Sequence, residues 1–257
     1  MKVTVLAENT ACREGMTAQH GLSLLIETGG HKILFDMGQD DTFACNAKIL
    51  GIDLSQVDFA VLSHGHYDHG GGLAAFLQLN QTAPVYIHKA AFGAYYNGME
   101  KYIGLDGSFA EHPQLIFTRG TTELPFAMCL IDCNDLNWSF QSWGLNRKEG
   151  ENFLPDDFRH EQYLQITEGD QRYLISGCSH KGIVNITRQF SPDVLVGGFH
   201  LNKQEDDMQL REIAKTLHNG HTVYYTGHCT GSRQYAVLKE IMGENLHSLS
   251  TGVVIEI

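Results

Sequence analysis

Four times along this chain a short apolar run gives way to small residues and then to a histidine. Phe59-Ala60-Val61-Leu62-Ser63 runs into His64-Gly65-His66-Tyr67-Asp68-His69, and Arg172-Tyr173-Leu174-Ile175-Ser176 into Gly177-Cys178-Ser179-His180. Asp193-Val194-Leu195-Val196 runs into Gly197-Gly198-Phe199-His200, and Thr222-Val223-Tyr224-Tyr225 into Thr226-Gly227-His228-Cys229. Apolar runs of this length, rich in β-branched and aromatic residues, read as strands. Where strands alternate with helices, sites form beyond the carboxyl ends of the strands. Strand ends that each deliver an imidazole are therefore expected to converge on one place, and a metal is the reading that unites them.

The same reading puts strands at 2–7, 22–27, 32–36, 57–63, 84–88, 115–118, 125–132, 163–167, 172–176, 193–197, 222–226 and 252–257. Helices are expected at 42–50, 73–80, 89–97, 182–190, 205–218 and 232–242. The segment 205–218 has the clearest ends, with Glu205, Asp206 and Asp207 at its start and Lys215 and His218 at its close. Gly29-Gly30 and Gly169-Asp170 read as hairpin turns. This alternation defines an α/β chain. No linker, repeat or charge block divides it, so residues 1–257 are expected to form a single domain. The stretch from about 93 to 160 is irregular and carries Tyr95, Tyr96, Tyr102, Trp138 and Trp143. It reads as an aromatic-rich insertion or cover.

Composition limits the partners. A formal net charge of −12 repels a phosphate backbone and argues against nucleic acid. A small anionic substrate stays compatible, because a bound cation reverses the field locally. The chain has no apolar run of transmembrane length and no signal-peptide pattern at its start, so a cytoplasmic protein without membrane attachment is expected. The six cysteines show no CxxC spacing and read as free thiols, with Cys129 and Cys133 in the core and Cys229 as a packed thiol. Self-association into a homo-oligomer is compatible with this surface.

The first of the four loops carries the sharpest signal. Residues i and i+2 of an extended loop project alike, so His64 and His66 can hold one ion. Asp68 and His69 can turn to a second. One carboxylate among imidazoles suits zinc, and also manganese or iron. Gly70-Gly71-Gly72 lets the backbone pass close to the site before the next helix.

The HxHxDH pattern of His64, His66, Asp68 and His69 resembles the signature of the metallo-β-lactamase superfamily. Ile33-Leu34-Phe35-Asp36-Met37-Gly38 is similar to that family's strand ending in D-x-G. Glu8-Asn9, His20-Gly21-Leu22-Ser23, the GCSHKGIVN run at 177–185, the GGFHL run at 197–201 and HCTG at 228–231 resemble the subfamily of dihydropterin–ribofuranosylaminobenzene phosphate synthases. The resemblance implies an αββα sandwich, two mixed sheets flanked by helices, with two divalent metal ions. It implies that His64, His66 and His180 hold one ion, with His160 competing for the third place. It implies that Asp68, His69 and His228 hold the other. The family's strand ending in Gly-Asp, which supplies a bridging carboxylate, ends here in Gly177-Cys178. Cys178 is therefore a candidate ligand, and His160, Glu161 and Asp36 are candidates for ligation or for holding a ligand in place. Glu8, His20 and His200 are candidate substrate contacts.

The function implied is that of an enzyme: a binuclear metal-dependent hydrolase acting on a small anionic substrate, a phosphoester, through a metal-bound hydroxide. Asp68 would orient that hydroxide, and His200 is the second catalytic candidate. One alternative is a transferase that joins a dihydropterin diphosphate to an aminobenzene ribofuranosyl phosphate and releases diphosphate. Another is a non-catalytic metal-binding sensor, against which the completeness of the ligand set argues.

Overall fold

The computed structural model describes residues 1–257. The chain divides into two compact units, each with its own large sheet. The first comprises Met1–Arg119, Gly144–Glu161 and Ser250–Ile257, and the second Gly120–Trp143 and Gln162–Leu249.

The first unit holds a seven-stranded sheet in the order Val254–Glu256, Lys2–Ala7, Ser23–Thr28, His31–Phe35, Phe59–Leu62, Val85–His88, Leu115–Thr118. The first four strands pair antiparallel, and the last four run parallel. The change of sense follows from the connections. A two-residue Gly29-Gly30 loop can only reverse the chain, and it sets Thr28 opposite His31. A parallel neighbour needs a crossover. Helix Thr42–Ile49 supplies one, and Leu73–Leu79, after the short helix Tyr67–Gly70, supplies the next. Strand Phe59–Leu62 is buried along its whole length, which explains its unbroken apolar sequence. Leu34, Leu62 and Ile87 of the sheet pack with Phe43 and Phe76 of the helices in one core.

The second unit repeats this plan. Its sheet runs Leu246–Ser248, Val223–Thr226, Val194–Val196, Gln171–Ile175, Tyr163–Glu168, Met128–Ile131, Thr121–Leu124. The first four strands are parallel, linked by helices Ile183–Phe190, Asp207–Leu217 and Ser232–Met242. The rest pair antiparallel, with Gly169-Asp170 as the expected hairpin turn between Glu168 and Gln171. Leu174, Leu195 and Tyr224 meet Ile186, Leu210 and Leu238 in a second core. Asp206 caps helix Asp207–Leu217, accepting from the N–H groups of Met208 (2.8 Å) and Gln209 (3.4 Å).

Some expectations need correction. No helix spans 89–97; the chain turns at 89–93 and enters strand Tyr95–Asn97. The Tyr95 hydroxyl reaches back to the Ala90 carbonyl at 2.6 Å, and the strand pairs with Leu145–Glu149. Tertiary pairing here overrides the local pattern. Strand 125–132 is shortened to Met128–Ile131, because Phe126 and Ala127 adopt positive φ in a hairpin turn. Cys133 lies in the core as expected, but Cys129 is half-buried. Within 93–160, the strands Asn152–Pro155, Leu145–Glu149, Tyr95–Asn97 and Lys101–Tyr102 form a small sheet in the first unit. Tyr96 packs edge-on against Tyr102 and Phe153 there. No helix is long and apolar enough to cross a membrane.

Candidate metal centre

In both units the loops that carry histidines leave the carboxyl ends of the parallel strands. In the first unit, strand His31–Phe35 ends in Asp36, which sits at φ 59°. Left-handed backbone at a non-glycine residue is uncommon and marks a position held by its surroundings. Asp36 is fully buried, and its carboxylate is the hub of the loop 63–69. It accepts from Ser63 N (2.7 Å), Ser63 Oγ (2.7 Å) and His69 Nδ1 (2.6 Å). Ser63 Oγ also lies 2.8 Å from His64 Nδ1. The hydroxyl has one hydrogen and gives it to Asp36, so it accepts from His64 Nδ1–H. Both His64 and His69 then carry their lone pair on Nε2. One carboxylate thus sets the tautomer of two imidazoles, directly for His69 and through Ser63 for His64.

These rings are close. His64 lies 4.6 Å from His66 and 4.2 Å from His69, centroid to centroid. Burial, followed by the neighbouring imidazoles of His69 and His66, holds His64 well below the usual histidine pKa. Burial, then His160, pulls His66 down to about 3, although Asp68 and Asp156 oppose the shift. The imidazoles of His64 and His66 are therefore neutral at pH 7, the form that binds metal. The residues fit a divalent ion: buried, neutral nitrogen donors with set tautomers, beside a carboxylate.

Asp68 lies in the short helix Tyr67–Gly70, and its Oδ2 is 3.2 Å from Nε2 of the half-exposed His20. The three-glycine run serves close approach at Gly72, where a Cβ would stand 2.2 Å from the Met37 carbonyl oxygen. Glu8 is buried, with its carboxylate engaged by Thr10 N and Oγ1, each at 2.7 Å. Glu161 is fully buried at the end of the segment Gly144–Glu161.

His160 takes a specific position. Its Nδ1 accepts from Gly65 N at 2.9 Å, so Nε2 bears the hydrogen and donates to Asp156 Oδ2 at 3.1 Å. The one lone pair of His160 thus supports the backbone between His64 and His66. Asp156 is buried, and its Oδ1 accepts from Phe158 N at 2.9 Å. Burial pushes its carboxyl pKa up, but the His160 imidazole and its hydrogen bond, with His66 and the Phe158 N–H, bring it below the ordinary value. Asp156 and Ser63 are contributors whose roles sequence reasoning did not assign. Ser63 was visible as the residue before HxHxDH. Asp156 sits in a polar stretch with no pattern to single it out.

In the second unit, Cys178, His180 and His228 are buried, and His200 is partly buried. Ser179, His200 and His228 all have positive φ, of 58°, 50° and 48°. The His180 and His200 rings lie 4.1 Å apart. Buried Lys181 anchors the loop, its Nζ bonding to the Asp132 carbonyl and to Asn134 Oδ1. A cavity of about 220 Å³ borders His180 and His200, walled by Phe140, Trp143 and Phe199.

Two large mixed sheets with few helices and a histidine-rich set of loops define the class. The family model of the metallo-β-lactamase superfamily matches residues 16–228, and the chain belongs to that superfamily. It is 26% identical to the 7,8-dihydropterin-6-methyl-4-(β-D-ribofuranosyl)-aminobenzene-5'-phosphate synthase of Methanocaldococcus jannaschii, covering 100% of this chain and 96% of that protein. It is 31% identical to the uncharacterized protein MJ0448 of the same organism, over 93% of this chain and 94% of the other. Among solved structures it resembles Tm1679, described as a metal-dependent hydrolase of the β-lactamase superfamily, with a TM-score of 0.87 and 30% identity, covering 100% of this chain and 99% of that one.

Proposed function

We propose that this protein is a metal-dependent hydrolase of small anionic esters, with a phosphoester as substrate. The observation that carries the reading is the Asp36–Ser63 clamp, which engages Nδ1 of His64 and of His69 and leaves Nε2 of each as the donor atom, beside His66 and Asp68. Two divalent ions, zinc by donor type, are proposed. Such ions supply a nucleophile from water at neutral pH and offset charge on the reacting oxygens. The chain's own part is separate from that. Asp36 and Ser63 keep the His64 and His69 protons on Nδ1. His160 holds the Gly65 backbone so that His64 and His66 keep their places. Asp68 is the carboxylate proposed to accept a proton, with His20 Nε2 3.2 Å from its Oδ2. The cavity beside His180 and His200 offers aromatic walls for the organic part of a substrate.

Purified protein is expected to hold a transition metal, to lose phosphoesterase activity on chelation and to regain it with Zn²⁺ or Mn²⁺. A panel of phosphomonoesters, phosphodiesters and thioesters tests the class. Turnover of none of them by metal-loaded protein would count against it. A second reading, the transferase, is favoured by full-length similarity to a named synthase. Supplying a dihydropterin diphosphate and an aminobenzene ribofuranosyl phosphate, then looking for coupled product and diphosphate, separates the two.

A further inference from the structure

Two sequence motifs of the first unit, Glu8-Asn9 and His20-Gly21-Leu22-Ser23, lie outside the ligand set, yet the fold brings both to Asp68. Glu8 follows strand Lys2–Ala7, and Ser23 opens strand Ser23–Thr28. The segment 19–23 is tied down at every residue. Gln19 N donates to the Glu8 carbonyl at 2.9 Å, and Gly21 N to Asn9 Oδ1 at 3.3 Å. The Gln39 side chain donates to the His20 carbonyl. Leu22 N reaches the Asp68 carbonyl at 3.2 Å, and the Leu22 carbonyl accepts from Gly38 N at 3.0 Å. Ser23 Oγ donates to the Asp36 carbonyl at 2.8 Å, which joins the motif to the residue that clamps His64 and His69.

Gly21 allows the close approach. It sits at φ 143°, and a Cβ there would stand 2.4 Å from the Asp68 carbonyl oxygen. This packing sets His20 Nε2 at 3.2 Å from Asp68 Oδ2. A carboxylate only accepts, so the ring carries a hydrogen on Nε2 and donates it. Burial lowers the pKa of His64 and of His66, and the Asp68 charge opposes the fall in both, so this carboxylate stands near the imidazoles of the loop. With one oxygen engaged by His20, the other is left for an ion. Exposed pairs of this kind contribute little where two mobile side chains must be ordered. Here the backbone under His20 is already fixed, and only the imidazole remains to be placed.

We infer that His20 is a positioning residue of the metal centre, delivered by the Glu8-Asn9 and His20–Ser23 motifs to hold Asp68 in the orientation that ligates. The inference rests on the metal-binding part of the reading above and not on hydrolysis. It gives His20 a role other than contact with substrate.

Co²⁺ titration of the full chain against a competing chelator tests it. His20→Ala is expected to weaken Co²⁺ binding roughly 10-fold, the size usual for a residue that orients a ligand. His20→Gln, whose side-chain amide N–H reaches the same oxygen, should restore most of the loss. Asn9→Ala, which removes the acceptor of Gly21 N, should fall between the two. In an Asp68→Ala background, His20→Ala should bring no further loss, an outcome that a general disturbance of the fold would not reproduce. On a phosphoester turned over by the zinc-loaded protein, His20→Ala should lower kcat and leave KM in place. Unchanged Co²⁺ affinity in His20→Ala overturns the inference, and a raised KM beside it would make His20 a substrate contact. A loss that persists in full in the Asp68→Ala background overturns it as well. A His20-dependent affinity in a protein that turns over no phosphoester would sink the hydrolase reading alone. A wild type that binds no Co²⁺ overturns both.

Discussion

Asp36 never needs to touch a metal to control one. Its two oxygens fix Ser63 and His69 directly and His64 through the Ser63 hydroxyl. Asp36→Asn would replace an acceptor-only carboxylate with a group that must also donate, so the shared tautomer is lost. Residues that orient a metal ligand typically contribute 10- to 100-fold in affinity. Ser63→Ala should weaken zinc binding by roughly 10-fold, and Asp36→Asn by about 100-fold, in a competition titration with a chelator. Equal affinity in both variants would show that the clamp is idle. Burial of His66 gives a second residue-scale expectation. Its folded pKa of about 3 lies below the ordinary 6.5, so the unfolded chain binds the proton more readily. Its stability contribution is fully present above pH 6.5 and is lost as the pH falls toward 3. At pH 5 the loss from this group alone is about 2 kcal/mol in the metal-free chain. Urea midpoints at pH 7 and pH 5 should therefore differ less in His66→Gln than in the wild type. An identical pH dependence in the two proteins would refute the assignment.

At the scale of elements, each unit's candidate donors rest on where its own parallel strands end. Strand Phe59–Leu62 delivers Ser63 and His64, Gln171–Ile175 delivers Cys178 and His180, and Val223–Thr226 delivers His228. The strands were legible, because an apolar run followed by small residues and a histidine encodes a strand with a histidine beyond its end. The helix at Asp207–Leu217 was legible too, since its acidic start and basic close are local signals. Asp206→Ala removes two accepted hydrogen bonds and should cost about 1 kcal/mol, read as a lowered Tm with metal content unchanged. The small sheet was not legible. Tyr95–Asn97 finds its partner in Leu145–Glu149, far along the chain, and nothing local announces such a pairing. Gly93 among alanines and tyrosines mimics a weak helix until that partner is known. Asp156 stayed hidden for a related reason: its value lies in its hydrogen bond with His160, and a lone carboxylate in a polar stretch carries no sign of it. His160 was a candidate for ligation or for holding a ligand in place, but its bond to the Gly65 backbone had no local signal.

Across the whole molecule, two sheets of the same plan each gather their chemistry on the parallel side. A chain carrying −12 gains an anion site only where cations are bound, so substrate binding and metal loading should rise together. Isothermal titration of inorganic phosphate into metal-loaded and metal-free protein checks this, with binding expected in the first alone. The central claim, however, is that the HxHxDH loop of the first unit holds metal. Its most direct test is elemental analysis by mass spectrometry of purified wild type against the His64→Ala/His66→Ala variant. The account predicts zinc, manganese or iron bound in the wild type and a clear loss of bound metal in the folded variant. A wild type that neither carries nor takes up such an ion, or a variant that retains the full complement, would contradict it.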